Sequence, residues 1–311
     1  MARHQYGIFA EGTRAQHHLE LRLRPDAAPA AIARAISGVR RANAEHRTNG
    51  GTNMVIGFGP ALWTRFPDAL PTLAVPAFPG YDNDGAGLHA PSTQADLWVW
   101  VHGPSNDLVF DVIRGAVTAL RPVAELALDL PAFVYHDSRD LTGFIDGTAN
   151  PPLDDAPLEA VVADDQPGAG GSYAMTMRFV HDLDAFAALP VAEQELVFGR
   201  TKVDSVELPA AQKPADSHIG RAEVEDDDGE ELVVYRRSVP WATAAEQGIH
   251  FVAFGADTDR FDRQLRSMFG LAGDGLTDRL LGFTTPTTGS FWFCPSVEAL
   301  DAIGPLPDDE D

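Results

Sequence analysis

Polar and apolar positions alternate along residues 18–23 (His-Leu-Glu-Leu-Arg-Leu), the period of a strand with one buried face. Residues 28–46 place Ile32, Ala35, Ile36 and Val39 at helical spacing. Residues 53–58 are a short apolar run closed by Gly57-Phe58-Gly59-Pro60, which predicts a strand and then a turn. Residues 97–101 (Leu-Trp-Val-Trp-Val) are apolar at every position, so this strand should be covered on both faces. A helix over 107–121 and an extended segment over 124–135 follow. The first half thus reads β-α-β twice, around a Pro-, Gly- and Asp-rich loop at 74–92.

The pattern breaks over 136–171, where Pro151, Pro152, Pro157 and Pro167 stand among glycines and aspartates. Loops of that length are uncommon unless they have a function. Periodicity resumes with a strand at 172–180 and a short helix at 191–198. Residues 219–225 and 231–238 flank Asp226-Asp227-Asp228-Gly229 and predict a hairpin. A strand at 250–254, a helix at 258–269 carrying Phe261, Leu265, Met268 and Phe269, and a strand at 289–294 complete the series. Each half holds several strands and a couple of helices in similar order, which predicts one α+β fold used twice. The acidic tail, 305–311, is expected to fray.

The chain has 311 residues, 44% hydrophobic and 22% charged, ordinary globular usage with room for two domains. Against 23 Lys and Arg stand 46 Asp and Glu, a net charge of −23. Such a surface repels phosphates and anionic lipid, which argues against nucleic acid or membrane as the main partner. Cys294 is the only cysteine, so intrachain disulfides, Cys-rich zinc sites and protein-ligated iron–sulfur clusters are excluded. Residues 1–12 carry neither an apolar signal core nor a twin arginine. No apolar run approaches membrane-span length, and a soluble cytoplasmic protein is expected.

Three strings stand out as candidate chemistry. Residues 143–151 read Gly-Phe-Ile-Asp-Gly-Thr-Ala-Asn-Pro, an aspartate bracketed by glycines that permit close backbone approach. Asp-Gly alone is an ordinary turn former; the full string is far less common. Residues 216–221 (Asp-Ser-His-Ile-Gly-Arg) offer His218, although a lone histidine is usually structural. In 234–241 (Val-Tyr-Arg-Arg-Ser-Val-Pro-Trp), adjacent Arg236 and Arg237 should point to opposite faces of a strand.

Taken together, these strings resemble the dye-decolorizing peroxidases. The Asp146 string looks like the family's glycine, two variable residues, Asp-Gly signature. The His218 context, the run from Arg236 to Pro240, residues 5–13, Phe198-Gly199-Arg200-Thr201-Lys202 and residues 284–295 match in order and spacing. The resemblance covers essentially the whole chain and is closest to the compact bacterial B-type branch.

It implies two ferredoxin-like α+β domains with antiparallel sheets. Residues 1–140 would form the first, 141–170 a linker carrying the aspartate motif, and 171–311 a haem-binding second. It implies one haem b per chain, with His218 as iron ligand and Asp278 behind it accepting the other ring N–H. Asp146 and Arg236 would be the distal pair, with Ser238 beside them leaving room for water. Arg237 would point away. The activity implied is oxidation of aromatic or dye-like donors by H2O2 through an oxoferryl intermediate. Asp146 would move the peroxide proton, and Arg236 would supply fixed positive charge. Homo-oligomers are implied too, while the short acidic C-terminus carries no evident hydrophobic peptide for docking into an encapsulin shell. A haem-binding or haem- and iron-handling role without turnover is the alternative, and chlorite dismutation a further one that the Asp-Gly signature disfavours.

Weaker candidates remain. Arg200 and Lys202 would suit haem propionates or the surface equally well. Trp98, Trp100, Tyr235, Trp241 and Trp292 are core aromatics or electron relays to surface-bound substrates. His17, His18, His181 and His250 are rival iron ligands, with a packing role favoured for His250.

Overall fold

The computed structural model describes residues 2–67 and 73–306, so the last five residues of the acidic tail lie outside the described residues. The described residues contain twelve strands: β1 (Ala15–Leu23), β2 (Asn53–Phe58), β3 (Tyr81–Asn83), β4 (Leu88–Ala90), β5 (Leu97–Gly103), β6 (Ala124–Phe133), β7 (Ser172–His181), β8 (Tyr235–Arg236), β9 (Val239–Ala242), β10 (Gln247–Gly255), β11 (Thr284–Pro286) and β12 (Ser290–Cys294). One sheet runs β6-β1-β5-β2-β12-β7-β10-β8, with β9 also on β10 and β11 on β7. Its pairings are antiparallel. The two halves of the chain meet edge to edge where Phe58 of β2 pairs with Phe293 of β12. At the other end Leu130 and Ala132 of β6 pack on Val239 and Trp241 of β9, so the sheet curls into a nearly closed barrel.

Alternation along the strands sorts the side chains onto two faces. The inner face gathers Trp98, Trp100, Val252, Phe254 and Trp292 in one buried cluster. Gly57 makes that packing possible, because a Cβ there would lie 2.9 Å from both Trp98 and Trp292. On the outer face of the first half, helices Pro29–Gly50 and Asn106–Leu120 bury Ile32, Ile36, Val112 and Ala116 against Leu19, Leu21, Val99 and Val101. The outer face of the second half carries Met175, Met177 and Phe179 of β7 and Ile249 and Phe251 of β10. Its cover is thinner, with helix Asp259–Met268 and irregular segments around a large cavity.

The sequence reading needs two local corrections. The hairpin expected over 219–225 and 231–238 is absent. Residues His218–Ala222 form a short helix, capped by the Ser217 hydroxyl accepting from the Gly220 N–H. The Asp226–Gly229 turn closes only one isolated bridge, Glu225 to Glu231. The loop at 74–92 contains the small β3–β4 pair. In the segment 276–281, Asp278 caps a 3-10 turn, Arg279–Gly282. The long loop over 136–171 holds one short helix, Ala156–Ala160. No helix among the described residues is long and apolar enough to cross a membrane.

Candidate active site

The cavity contains about 1510 Å³ of empty space, the open solvent at its mouth included. Its floor is the apolar outer face of β7 and β10. His218, Asp278, Asp146, Arg236 and Arg200 all line it, although they come from five separate stretches of chain.

His218 opens its short helix, and Phe198 meets its ring edge-on at 5.9 Å. The ring Nδ1 lies 2.7 Å from a carboxylate oxygen of Asp278. The other Asp278 oxygen accepts from the Leu280 N–H at 2.8 Å. Asp278 is buried and held by its 3-10 turn, so the ring orientation is fixed from behind. Accepting the Nδ1 proton leaves Nε2 as the free lone pair, the arrangement of a metal-ligating histidine.

Asp146 sits in a turn shaped by its neighbours. Gly147, at φ 79°, takes a left-handed conformation and donates its N–H to Asp146 at 2.7 Å. Burial raises the Asp146 carboxyl above its ordinary range; the Arg236 charge, the Gly147 N–H and His218 pull the other way, and Asp140 adds to the rise. Arg236 shares its face of the sheet with Ala253, its partner on β10. Its Nε is buried with no hydrogen-bond partner among the described residues.

Asn150 makes a contact to the site that the sequence reading missed. Its side-chain amide donates to the Arg236 carbonyl at 2.8 Å and accepts the Arg236 N–H at 3.0 Å. The loop carrying Asp146 thus docks on the backbone of Arg236, which couples the positions of the two charged groups. Also missed was a buried pair at the cavity wall. His181 Nε2 meets Asp140 at 3.0 Å, and Nδ1 meets the Thr284 hydroxyl at 2.7 Å. Burial works to raise Asp140, but bonds from His181 and Thr142 outweigh it and hold the carboxyl low.

Other expected residues lie elsewhere. Ser238 is not among the lining residues; its hydroxyl accepts from the Val252 backbone N–H at 3.3 Å. Lys202 is also absent from the lining. Its ammonium donates to Gln194 at 2.5 Å and lies over the rings of Phe144 and Phe186. Arg200 does line the cavity, with one guanidinium nitrogen spent on the Ser205 carbonyl. Arg237 points away from the cavity. It reaches the Ile8 and Ala10 carbonyls and lies 5.1 Å over Trp100.

Among the rival histidines, His18 and His250 are buried on the inner face with rings 4.4 Å apart, on the opposite side of the sheet from the cavity. Burial lowers both, His250 to about 3. His17 pairs with Asp129 at the surface. The five aromatics considered as relays to the surface are all buried, so none offers a direct contact to a bulky substrate.

The residues present fit a haem. The floor is apolar, a histidine has its ring fixed by a buried carboxylate, and Arg236, which lines the cavity, keeps a buried Nε–H without an acceptor among the described residues.

Comparison with known proteins agrees. Residues 5–128 match the sequence family "Dyp-type peroxidase, N-terminal" and residues 137–299 match "Dyp-type peroxidase, C-terminal". A dye-decolorizing peroxidase of Mycolicibacterium paratuberculosis is 37% identical over 221 residues, 70% of this chain and 62% of that protein. The encapsulated DyP-type peroxidase of Mycobacterium smegmatis superposes with a TM-score of 0.91 at 30% identity, covering 99% of this chain and 100% of that one. A variant of DypB from Rhodococcus jostii RHA1 in complex with heme gives 0.87 at 32% identity, over 95% and 97% of the two chains. The chain belongs to the dye-decolorizing peroxidase family of haem peroxidases.

Proposed function

We propose that this chain binds one haem b in the cavity through His218 and uses H2O2 to oxidise small aromatic donors, with Asp146 and Arg236 acting on the peroxide. The observation that carries this reading is the His218–Asp278 pair at 2.7 Å on the wall of an apolar cavity that Asp146 and Arg236 also line. Haem bound there would supply the redox-active iron that reacts with peroxide. His218 holds it by Nε2. Asp278 keeps the proton on Nδ1 and makes the imidazole a stronger donor. Arg236 offers a guanidinium charge that can stabilise a departing hydroxide. Asp146, with its raised affinity for protons, takes a proton from one peroxide oxygen and returns it to the other. Asn150 holds the two at a fixed separation. Arg200 is assigned to a haem propionate, and Lys202 and Ser238 have no part in this scheme. Homo-oligomers remain part of the reading on the family resemblance.

The test is to load the chain with haem, add H2O2 in stoichiometric amount and then supply an aromatic dye. The haem absorption should change on mixing and return as dye is consumed. A chain that holds haem but leaves its spectrum unchanged under peroxide would be a haem carrier instead.

A further inference from the structure

The barrel interior holds chemistry that the cavity does not use. Trp292, Trp98 and Trp100 form a run of near-parallel indoles, with centroids 6.3 Å and 6.1 Å apart. All three are buried. Their N–H groups differ. The Trp100 Nε1–H donates to the Gln16 amide oxygen at 3.0 Å, and its ring lies under the Arg237 guanidinium. The Trp98 Nε1 has no partner among the described residues. Only Trp292 is wired to a base: its Nε1–H donates to the Thr176 hydroxyl at 2.9 Å, and that hydroxyl donates to Glu20 at 2.8 Å.

Thr176 lies on β7 between Met175 and Met177, two residues of the cavity floor. Alternation turns it to the inner face, so the indole and the haem cavity are separated by the thickness of one sheet. Glu20 also receives the Ser290 hydroxyl at 3.3 Å and has no cationic partner in contact.

We propose that Trp292 is the internal electron donor that refills the haem when peroxide has oxidised it and no external donor is bound. This rests on the peroxidase reading above. In the step, one electron leaves the indole for the haem, which is reduced by one equivalent. The indole N–H bond breaks, and its proton goes to the Thr176 oxygen as the Thr176 hydroxyl proton passes to Glu20. The products are a neutral indolyl radical at Trp292 and a neutral carboxylic acid at Glu20. Peroxide supplies the oxidant.

Two features place the hole on Trp292 rather than its neighbours. The Arg237 charge over Trp100 disfavours removing an electron there. The amide at Trp100 and the unpartnered Trp98 N–H offer no proton acceptor. Burial raises Glu20 to about 7, so it is a far better base than a solvated carboxylate and still ionised just above neutrality. Since the indoles are buried, the device is an internal sink and not a contact for dyes.

The experiment mixes haem-loaded protein with one equivalent of H2O2, without a donor, above the titration of Glu20. Samples are frozen for electron paramagnetic resonance, with the tryptophans ring-deuterated to mark their signal. The parent should show a tryptophan-derived neutral radical. Trp292→Phe should abolish it. Thr176→Val and Glu20→Gln, which keep the indole and the fold, should each lose most of it while the initial haem absorption change stays as fast as in the parent. A tryptophan radical that survives in Trp292→Phe, or is undiminished in both relay variants, overturns the proposal. A haem spectrum that changes with peroxide but yields no tryptophan radical overturns it alone; a haem spectrum indifferent to peroxide overturns the peroxidase reading with it.

Discussion

The two halves of this chain build the same kind of sheet and treat its outer face in opposite ways. In the first half, two long helices close over β1 and β5 so tightly that glycine is needed where they cross. A Cβ on Gly38 would lie 2.8 Å from Ala119, and one on Gly115 would lie 2.7 Å from Ala42. The described residues of that face are packed as core. In the second half a ten-residue helix replaces the pair, and segments rich in glycine, proline and aspartate take the remaining space. Apolar strand residues that would otherwise be core become the floor of a cavity. The functional site is thus a sheet face left partly uncovered, edged by polar groups from loops and short helices.

Several substitutions sharpen that contrast. The largest effect is expected at Arg236. Arg236→Ala in haem-loaded protein should slow the reaction with H2O2 by ~10²–10⁴-fold, because charge in a water-poor site is worth most. Asp146→Ala should cost less, since water can relay a proton in its place. Ser238, tied to the backbone at Val252, gives that water no special support. The acid limb of the pH–rate profile should lie above the ordinary carboxylate range, because burial raises Asp146 and the base is lost as pH falls through its pKa. Asp146→Asn should flatten that limb. Stopped-flow mixing reads all three, and a slower Asp146 variant would reverse the division of labour.

In the closed half, Ile36→Ala should cost about 2–5 kcal/mol of stability, since Ile36 is fully buried between its helix and the sheet. Denaturant melts should give the same loss with and without haem. Met177→Ala, on the cavity floor, should cost less in the haem-free chain and more in the loaded one. Equal behaviour of the two variants would erase the distinction between filled and open faces.

The barrel interior gives a smaller and pH-dependent effect. Folding raises Glu20 from 4.5 to about 7. The folded state therefore binds this proton more tightly, and the contribution is fully present below 4.5. It is lost as pH rises to about 7, a difference of about 3 kcal/mol. Buried His18, His102 and His250 titrate in the opposite sense, so the difference between Glu20→Gln and the parent isolates the carboxyl. That difference should move in favour of the variant as pH rises through the window. A flat difference would mean that Glu20 is ionised throughout.

The strands were legible because their patterns are local: the all-apolar run at Leu97–Gly103 is a strand with every residue buried. The strings around Asp146, His218 and Arg236 were legible because rare combinations of residues sit close in sequence, and the structure brings all three to one cavity. What escaped depends on distant partners. Asn150 meets Arg236 across 86 positions, and His181 meets Asp140 across 41. The contacts of Lys202 and Ser238 were not legible for a related reason. A polar side chain near a motif goes to whichever acceptor or donor the fold brings up, here Gln194 and the backbone at Val252. The helix at His218–Ala222 is too short to show a period, so its capping by Ser217 was the sole local signal.

The central claim is that His218, oriented by Asp278, holds haem on the uncovered face. Absorption spectra of His218→Ala, titrated with haem and then with imidazole, test it most directly. The account predicts that the variant loses tight haem binding, and that added imidazole fills the vacated position and restores a parent-like spectrum. A variant that keeps the parent spectrum and affinity without imidazole would contradict it, because the iron would then be held by another residue.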